Sequence, residues 1–507
     1  MKKKDLYIAV IVSLSYLIIN MLLNSLWHYH QLHNDFWDLL FIAKNIDFRN
    51  AFSLVNPCIP IGYTTLLHFI IKTGSEITIP IIVNLIFGTV TLFVSILFYL
   101  KIMEKSYGIL SAFLLGFFPL FLFYFNQGGA DPGSVMFFTS GAFLLINLTY
   151  LTKTKPWSLA FISGLLFGLS ALFRYHCLVG AAMFIFTLFL FNIRKWNLFA
   201  VSTCGVVIAY LPQIFINLVT GHGALETKLG ASNIYDLMYG INWYKTSTEH
   251  ISTNAIEIIS TDYFLFVKRY LISFVKFFIQ TGMIPLSAAI IVKKTLHKKI
   301  AWIITAFVFL YFALFSATLS GRQVLLPLPL TMLCFGILVK ELFNFSDKQS
   351  QIRQKVMQAV IVLAVSTVSL FFIVKNYHSV IRNVKEATFS KSVESYLVEM
   401  GCTDSRQIYT TDYDIYFKTL PNYTGYFNGG WSRWGTYKYN EAFPEFDVKS
   451  IDDFIEDCKD KNIRFVILTK NSYKLIKELG EIYDLTLLRK ELLFKKEAGR
   501  VRIFQVR

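Results

Sequence analysis

Charged residues are scarce in this 507-residue chain: they make up 16% of it, against about a quarter in an ordinary soluble domain. Hydrophobic residues account for 54% and aromatic residues for 17%. Several uncharged runs can be extended to the roughly 20 residues that cross a bilayer. The composition therefore excludes a soluble globular protein and indicates a polytopic membrane protein. The uncharged runs are Leu14–Leu26, Ile79–Leu100, Ile109–Phe125, Val135–Leu151, Leu178–Phe191 and Val360–Val374.

Cysteine and nucleotide-binding patterns are also sparse. The six cysteines form no CxxC pair and no metal-ligand spacing, so the sequence indicates neither a disulfide framework nor a zinc site. A disulfide between Cys402 and Cys458 stays open. No GxGxxG or P-loop pattern is present, so no nucleotide site is indicated. The first apolar run follows three lysines without a small-residue cleavage site, which favours a retained helix over a signal peptide.

Basic residues exceed acidic residues by 49 to 33, for a formal net charge of +16. A balance of this kind raises the question of a nucleic-acid partner. However, the basic residues lie mostly in alternate short loops between apolar runs, which is the pattern of cytoplasmic loops. We therefore attribute the charge to topology and expect no nucleic-acid partner. The positions are Lys2–Lys4, Lys101, Lys105, Lys153, Lys155, Arg194, Lys195, Lys293–Lys299 and Lys340–Lys355.

The apolar pattern predicts about eleven transmembrane helices. We expect a multi-pass protein of the cell membrane with a cytoplasmic N-terminus, because each basic loop then lies inside. An odd number of spans places the C-terminal segment outside. The predicted helices are 6–26, 78–100, 108–125, 133–151, 157–173, 175–192, 197–219, 273–292, 300–319, 323–340 and 356–375.

Two predicted outer loops are long, and the C-terminal segment has a different composition. In the first loop, at about 27–77, we expect two short helices along the membrane surface. In the second loop, at about 220–272, "FLFVKRYLISFVKFF" predicts an interfacial or obliquely inserted helix. Near the C-terminus, "QIYTTD", "RFVILT" and "GRVRIFQVR" predict strands, and "SIDDFIEDCKDKN" and "SYKLIKELGEI" predict helices. We expect an α-helical polytopic membrane domain over 1–380 and a small extracytoplasmic α/β domain over 381–507.

The predicted outer turns carry the charged residues of most interest. Asp35 and Asp38 follow the first span and lie one helical turn apart, and Asp131 lies in the tight second outer loop. Arg174 and Arg322 each lie at an outer turn between apolar runs. Carboxylates at membrane level are costly unless water or a partner meets them. We therefore expect the functional site on the outer face.

This set of side chains suits a lipid-linked phosphate donor. Arginine binds phosphate oxygens through its planar fork and stays charged near lipid. A carboxylate near a sugar can take the proton of an attacking acceptor hydroxyl, and arginine can help a lipid phosphate to leave. The residues thus point to sugar transfer at a membrane surface.

The ordered set of features resembles the GT-C superfamily of integral-membrane glycosyltransferases. The features are the acidic motif after the first span, "NPCIPIGYTTLLHFI", Asp131, "GLLFGLSALFRY" and "GRQVLLPLPL". The nearest resemblance is to the PMT-type, glycosyltransferase family 39-like branch, which includes protein O-mannosyltransferases and bacterial lipid A aminoarabinose transferases. It covers most of residues 1–375 and implies a GT-C-like fold with outer-face juxtamembrane helices. It also implies a polyprenyl-phosphate-linked sugar donor and inversion at the anomeric carbon.

The resemblance assigns roles to individual residues. Asp35 matches the first-loop catalytic acid and Asp131 the second-loop acid, while Arg174 and Arg322 match positions near the donor phosphate. Many members carry an Asp-Glu pair in the first loop, whereas Phe36 follows Asp35 here, so Asp38 is the substitute base. A divalent metal stays open, because the oligosaccharyltransferase branch needs one and the PMT-like branch is not expected to.

Structural explanations compete with these roles. Asp35 and Asp131 suit helix starts, Asp38 a solvated face, and the two arginines interfacial anchors. Further candidates for acceptor or donor contacts are His33, Tyr63, His176 and Trp243. His28, His30 and His33 do not share one helical face, so we expect interfacial polar residues there and assign no metal ligand.

The expected partners are a polyprenyl-phosphate sugar donor, the lipid bilayer and a hydroxyl acceptor on a lipid, glycan or protein. The main alternative is a transporter or flippase of a lipid-linked saccharide. Such a protein needs charged or broken helices near the midplane, often in repeats, and the predicted spans show neither. A non-catalytic scaffold is a second alternative, and it predicts that a change at Asp35 has no effect.

Overall fold

The computed structural model divides into two compact units. The first comprises Met1–Ile46, Pro57–Met238 and Ile259–Val380, and the second comprises Asp47–Asn56, Tyr239–Ile258 and Ile381–Arg507. The predicted functional labels of the two domains stay predictions. The described residues are 3–27, 34–46, 60–75, 78–152, 157–220, 223–225, 234, 237–238, 255–315, 321–346, 351–402, 407–410, 426–427, 451–460, 462–468, 492–498 and 501–506.

The described residues up to position 399 are almost all helical, as their long apolar runs predict. A π-helical turn (Asn147–Leu151) extends α7, and 3₁₀ turns lie at Ile71–Thr73, Ile193–Lys195 and Gly321–Leu325. The α-helices are α1 (Lys3–Trp27), α2 (Asn34–Asn45), α3 (Ile61–Ile70), α4 (Thr78–Ile102), α5 (Lys105–Gly116), α6 (Pro119–Phe125), α7 (Asp131–Ile146), α8 (Trp157–Phe173), α9 (His176–Phe191), α10 (Trp196–Val219), α11 (Ala255–Thr261), α12 (Tyr263–Thr281), α13 (Met283–Ile291), α14 (Thr295–Phe315), α15 (Leu328–Ser346) and α16 (Gln351–Glu399).

The helices confirm a polytopic membrane fold. Within the described part of the chain, seven helical segments are long and apolar enough to cross a membrane, and the bent pairs α5–α6 and α12–α13 raise this to nine. Helices α8 and α9 are apolar but shorter. Each predicted span overlaps one of these helices or bent pairs, with ends that differ by several residues. Helices α2 and α3 are the two short helices predicted between the first and second spans.

Two spans are broken where unbroken helices were predicted. Helices α5 and α6 meet at 58°, and α12 and α13 meet at 56°. At the first bend, Pro119 begins a new helix because it has no N–H to continue the old one. The Asn376 side chain of α16 donates to the Phe117 carbonyl at this bend, at 3.0 Å. At the second bend, Gly282 ends a helix that joins the predicted interfacial segment to the first half of the predicted span 273–292.

Basic residues of the predicted inner loops gather at one end of the bundle. Lys105 pairs with Asp5 at 3.4 Å, and Lys101 donates to the Asn147 side chain at 2.6 Å. Asn147 follows α7, whereas Asp131 begins it, so the two lie about 24 Å apart along the axis. The arrangement separates the basic end from the end that carries Asp131.

Glycines bring α8 and α10 into close contact. A Cβ atom built on Gly164 of α8 would overlap the Ser202 carbonyl oxygen of α10, and one built on Gly205 of α10 would overlap the Phe161 carbonyl oxygen of α8. Small residues allow backbones to approach in this way in membrane bundles. The contact fixes α8, which ends at Phe173, directly before Arg174.

Gly164→Ala is expected to destabilise the protein by about 1–3 kcal/mol, because the added methyl group must push α10 away. The measurement is the thermal unfolding midpoint in detergent. The control is Gly116→Ala, whose Cβ would lie 3.3 Å from its nearest neighbour, Tyr16 Cδ2. Equal midpoints for the two variants would contradict the assigned contact.

The second unit contains a mixed five-stranded sheet. Its described strands have the order β2-β1-β3-β5-β4, with β1 parallel to β2 and β3, and β5 antiparallel to β3 and β4. Leu397, Cys402, Ile408, Phe465 and Ile503 form a buried cluster on it. The elements are β1 (Ile408–Thr410), β2 (Tyr426–Phe427), α17 (Ile451–Asp460), β3 (Phe465–Leu468), β4 (Leu492–Ala498) and β5 (Val501–Val506).

The α/β character predicted for this segment is confirmed. Strands β1, β3 and β5 and helix α17 lie in segments predicted as such, whereas β2 and β4 were not predicted. The predicted helix "SYKLIKELGEI" lies outside the described residues. Cys402 and Cys458 are both buried, and the disulfide left open by the sequence does not join them in the structure.

Candidate functional site

Asp131, Arg174 and Arg322 come together at one end of the helical bundle. Arg174 Nη2 donates to Asp131 Oδ2 at 2.8 Å, and Arg322 Nη1 lies 4.0 Å from the same oxygen. The Asp131 side chain is 8% exposed, whereas those of Arg174 and Arg322 are 18% and 20% exposed. The three side chains carry a net charge of +1, and the guanidinium groups remain accessible. Such a cluster can bind an anion.

A tight turn between two helices holds Arg174. Helix α8 ends at Phe173 and α9 begins at His176, so only Arg174 and Tyr175 connect them. The Arg174 N–H donates to the Ser170 carbonyl at 3.1 Å, and its own carbonyl accepts from the Cys177 N–H at 2.9 Å. The turn therefore fixes the backbone from which the guanidinium reaches Asp131.

Phe173, which precedes Arg174 in the chain, is held in place by the packing of its ring. It packs on Gly133 so closely that a Cβ atom there would overlap it. Its edge-to-face neighbours include Tyr63 of α3 at 5.9 Å and Phe137 of α7 at 5.4 Å between ring centres. The Ser170 hydroxyl also donates to the Ser134 carbonyl at 2.7 Å. These contacts join the end of α8 to the first turn of α7.

The loop 126–130, which leads into Asp131, is held by side chains from three other helices. The Asn84 amide of α4 donates to the Gln127 and Gly129 carbonyls, and the Gly129 N–H donates to the Tyr63 hydroxyl at 3.2 Å. Asn126 pairs with two amide side chains of α1 at 2.7 Å each. Gly129 has a φ of 155°, which favours glycine. The loop is thus fixed at successive residues before Asp131.

Helix α2 packs directly against this loop. The Phe36 ring is fully buried and lies where a Cβ atom on Gly128 would be. The far end of α2 is tied to α3, because His68 Nδ1–H donates to the Ala43 carbonyl at 2.6 Å. On the other side of the ring, the Lys72 ammonium donates to His68 Nε2 at 2.7 Å. Helix α2 therefore has a defined position next to the residues that precede Asp131.

Of the remaining candidate residues, the structure describes the side chains of Tyr63 and His176. Tyr63 is fully buried, and burial raises the pKa of its phenol, so it stays a protonated partner of the loop. His176 is the first residue of α9, two residues after Arg174. Asp35 and Asp38 belong to α2, but their side chains lie outside the described residues. His33 and Trp243 also lie outside them, and all these proposed contacts stay predictions.

Sequence reasoning missed the residues that hold the site in place. They are Asn84, Asn126, Phe36, Phe173 and the glycines of the loop. A usable signal existed for the two asparagines, because amides are costly within or at the end of apolar runs unless they have a partner. Phe36 and Phe173 carried no such signal, since aromatic residues are common throughout this chain.

The described residues contain no cluster of side chains suited to bind a metal ion. No group of three or more His, Cys, Asp or Glu side chains is arranged to hold one within the part of the chain that the structure describes. His28, His30 and His33 lie outside that part. The metal question left open by the sequence therefore stays open.

Comparison with known proteins identifies the fold. Neither a protein-family model nor a curated protein sequence matches the chain. Among solved structures, ArnT from Cupriavidus metallidurans in the apo state is similar at a TM-score of 0.59 and 11% identity, over 98% of this chain and 97% of that one. The same protein bound to undecaprenyl phosphate gives 0.57 and 9%, over 100% and 98%. The apo oligosaccharyltransferase of Archaeoglobus fulgidus gives 0.51 and 12%, over 96% and 73%.

These likenesses show that the chain shares the fold of ArnT and of the archaeal oligosaccharyltransferase, and the GT-C-like fold class predicted from the sequence is confirmed. The match to ArnT spans nearly the full length of both chains. Identity is low throughout, so the fold is what these structures establish.

Proposed function

We propose that this protein transfers a sugar from a polyprenyl-phosphate-linked donor to an acceptor hydroxyl at the membrane surface. The observation that carries the proposal is the convergence of Arg174 and Arg322 on Asp131 at 2.8 and 4.0 Å. The fold adds support, because one similar structure, ArnT, was solved with undecaprenyl phosphate bound.

The two arginines are assigned to the donor phosphate. Guanidinium groups bind phosphate oxygens bidentately and keep their charge beside lipid. Their partial burial strengthens the interaction, because charges attract more strongly in a medium of lower dielectric constant. Asp131 orients both groups and lowers the cost of placing two like charges together. Since its carboxylate is engaged with two cations, we assign it a positioning role and not that of the base.

The base is assigned to Asp35, with Asp38 as the substitute. Both belong to α2, and Phe36 between them anchors α2 against Gly128, three residues before Asp131. In the proposed step the Asp35 carboxylate takes the acceptor hydroxyl proton as the oxygen attacks the anomeric carbon. The bond from that carbon to the phosphate oxygen breaks, and the arginines stabilise the departing polyprenyl phosphate. Attack opposite the leaving group inverts the anomeric centre.

The orientation in the cell membrane is part of the proposal. We place the N-terminus and the basic end in the cytoplasm, and Asp131 and residues 381–507 outside. Single cysteines at position 264, which is 85% exposed in the predicted outer segment 220–272, and at position 153 test this arrangement by labelling intact cells with an impermeant thiol reagent. Labelling at 264 and protection at 153 are expected, and the reverse pattern contradicts the orientation.

Sugar transfer by membranes that contain the protein tests the function. Radiolabelled polyprenyl-phosphate sugars are supplied as a panel, and labelled product is compared with membranes that lack the protein. We expect one or a few donors to give product. Proteoliposomes measured in parallel for movement of the intact donor test the alternative, and movement without transfer would identify a flippase instead.

Gly128→Ala is expected to lower kcat by about 10–100-fold with little change in the KM for the donor. The new methyl group displaces Phe36 and thus α2, and an error of about 1 Å in placing a catalytic group can cost about 100-fold. Phe36→Leu opens space for that methyl group, so the double variant is expected to recover most of the lost kcat. The measurement is steady-state kinetics on the four proteins of the cycle. A double variant no better than Gly128→Ala would contradict the coupling.

A further inference from the structure

Helix α12 presents an exposed face that is apolar and cationic at once. One side packs on α14, where Phe274 lies 5.3 Å from Phe309 and Phe277 lies 5.3 Å from Phe312 between ring centres. The opposite side exposes large apolar side chains and all the charges of the helix. The exposed residues there are Phe264, Lys268, Arg269, Leu271, Ile272, Val275, Lys276 and Ile279.

Lys276 lies deep along this exposed face. The apolar span of α14 ends at Leu314, and Phe274 and Phe277, which flank Lys276, pack on Phe309 and Phe312 of α14. Five residues of helix place Phe309 about 8 Å inside the end of that span. A lysine in contact with hydrocarbon at that depth is costly unless its ammonium finds an anion or reaches the surface.

Lys276 has no counter-charge among the described residues. Residues 263–281 contain no acid, and the nearby Asp262 carboxylate caps the helix by accepting from the Leu265 N–H at 2.8 Å. The Lys276 ammonium lies 5.9 Å from the centre of the Phe277 ring, which supplies a weak attraction but no anion.

Lys268, Arg269 and Lys276 can all reach anions at the same membrane surface, because of the direction in which α12 runs. Tyr270 bonds to the Ala313 carbonyl near the end of α14, so Lys268 and Arg269 lie at the membrane surface. Lys276 is two turns deeper, about 12 Å along the axis. Helical side chains lean toward the N-terminus, which here is the surface end, and Lys276 shares a face with Arg269, seven residues earlier. The long side chain of Lys276 can therefore extend toward the membrane surface, where Lys268 and Arg269 lie.

We propose that Lys268, Arg269 and Lys276 on the exposed face of α12 form a binding site for the phosphate of an anionic phospholipid. The charge complementarity is that of a lipid phosphate, and the apolar side chains between the cations suit acyl chains. None of the three cations belongs to the Asp131 cluster assigned to the donor, so the proposal does not depend on the glycosyltransferase assignment.

Native mass spectrometry of the detergent-purified full-length protein tests the site. Phosphatidylglycerol and phosphatidylcholine are titrated, and the wild type is expected to retain phosphatidylglycerol preferentially. Lys276→Met is expected to weaken its retention about fivefold, since one basic residue near a lipid surface contributes about that factor. Lys276→Arg should restore it, and Lys268→Gln/Arg269→Gln/Lys276→Met should abolish the preference. Lys459→Met removes the same charge from α17 and serves as the matched control.

Two results would overturn the proposal. One is equal retention of the two lipids by the wild type, or an unchanged preference in Lys276→Met. The other is a triple variant that keeps its phosphatidylglycerol preference but loses polyprenyl phosphate, which would assign the face to the donor instead. The elution profile in gel filtration and the thermal midpoint of each variant exclude loss of folding as the cause.

Discussion

Replacement of Arg174 by alanine is expected to lower sugar transfer by about 100- to 1,000-fold, the usual cost of removing one preorganised donor to a developing negative charge. Arg174 is the closer of the two arginines to Asp131, at 2.8 Å. Its loss removes a phosphate ligand and breaks the 2.8 Å ion pair with Asp131, so Arg322, at 4.0 Å, is the arginine of the cluster that remains. Both effects weaken the site for a phosphate leaving group.

Steady-state transfer with a saturating acceptor measures the effect. Arg194→Ala is the matched control, because Arg194 follows the other end of α9 and is exposed at the basic end of the bundle. Arg174→Lys keeps the charge without the planar fork, so an intermediate loss is expected. Wild-type rates in Arg174→Ala would exclude a role for this residue in donor binding.

Asp35→Asn is expected to lower kcat by about 100- to 10,000-fold, the contribution of general-base catalysis, because an amide cannot accept the acceptor proton. Donor binding should be nearly unchanged, since the arginines that hold the phosphate are intact. The measurement is kcat together with equilibrium binding of polyprenyl phosphate.

Asp38→Asn is the matched control for this prediction, because the two acids lie one turn apart on α2. We expect a much smaller effect from Asp38→Asn. A large effect from Asp38→Asn together with an intact Asp35→Asn would move the base to Asp38. Full activity in both single variants and in the double variant would favour a non-catalytic role for the first loop.

Much of the membrane fold could be predicted from the sequence. Apolar runs locate spans because the bilayer requires their length and composition. The convergence of Asp131, Arg174 and Arg322 was also partly predictable, since the alternation of spans places their turns at one end of the bundle. The bends at Phe117–Phe118 and Gly282 were not predicted, because two short helices and one long span share the same apolar composition.

The contacts that hold the site could not be predicted in the same way. Phe36 meets Gly128, and Tyr63 meets Gly129, across long separations in the chain. Such pairs depend on how helices pack, and no local periodicity encodes them. The importance of Asn84 could have been predicted from the sequence, because a buried amide in an apolar run requires hydrogen-bond partners. Its partners are the two carbonyls of the loop before Asp131.

The most direct test of the central claim is equilibrium binding of radiolabelled polyprenyl phosphate to purified protein. The variants are wild type, Arg174→Gln/Arg322→Gln and the control Arg194→Gln. Each charged hydrogen bond to phosphate contributes about 1.5–3 kcal/mol, so the double variant should bind at least about 100-fold more weakly, while the control matches the wild type. Equal affinity in all three proteins would contradict the assignment of the Asp131 cluster to the donor phosphate.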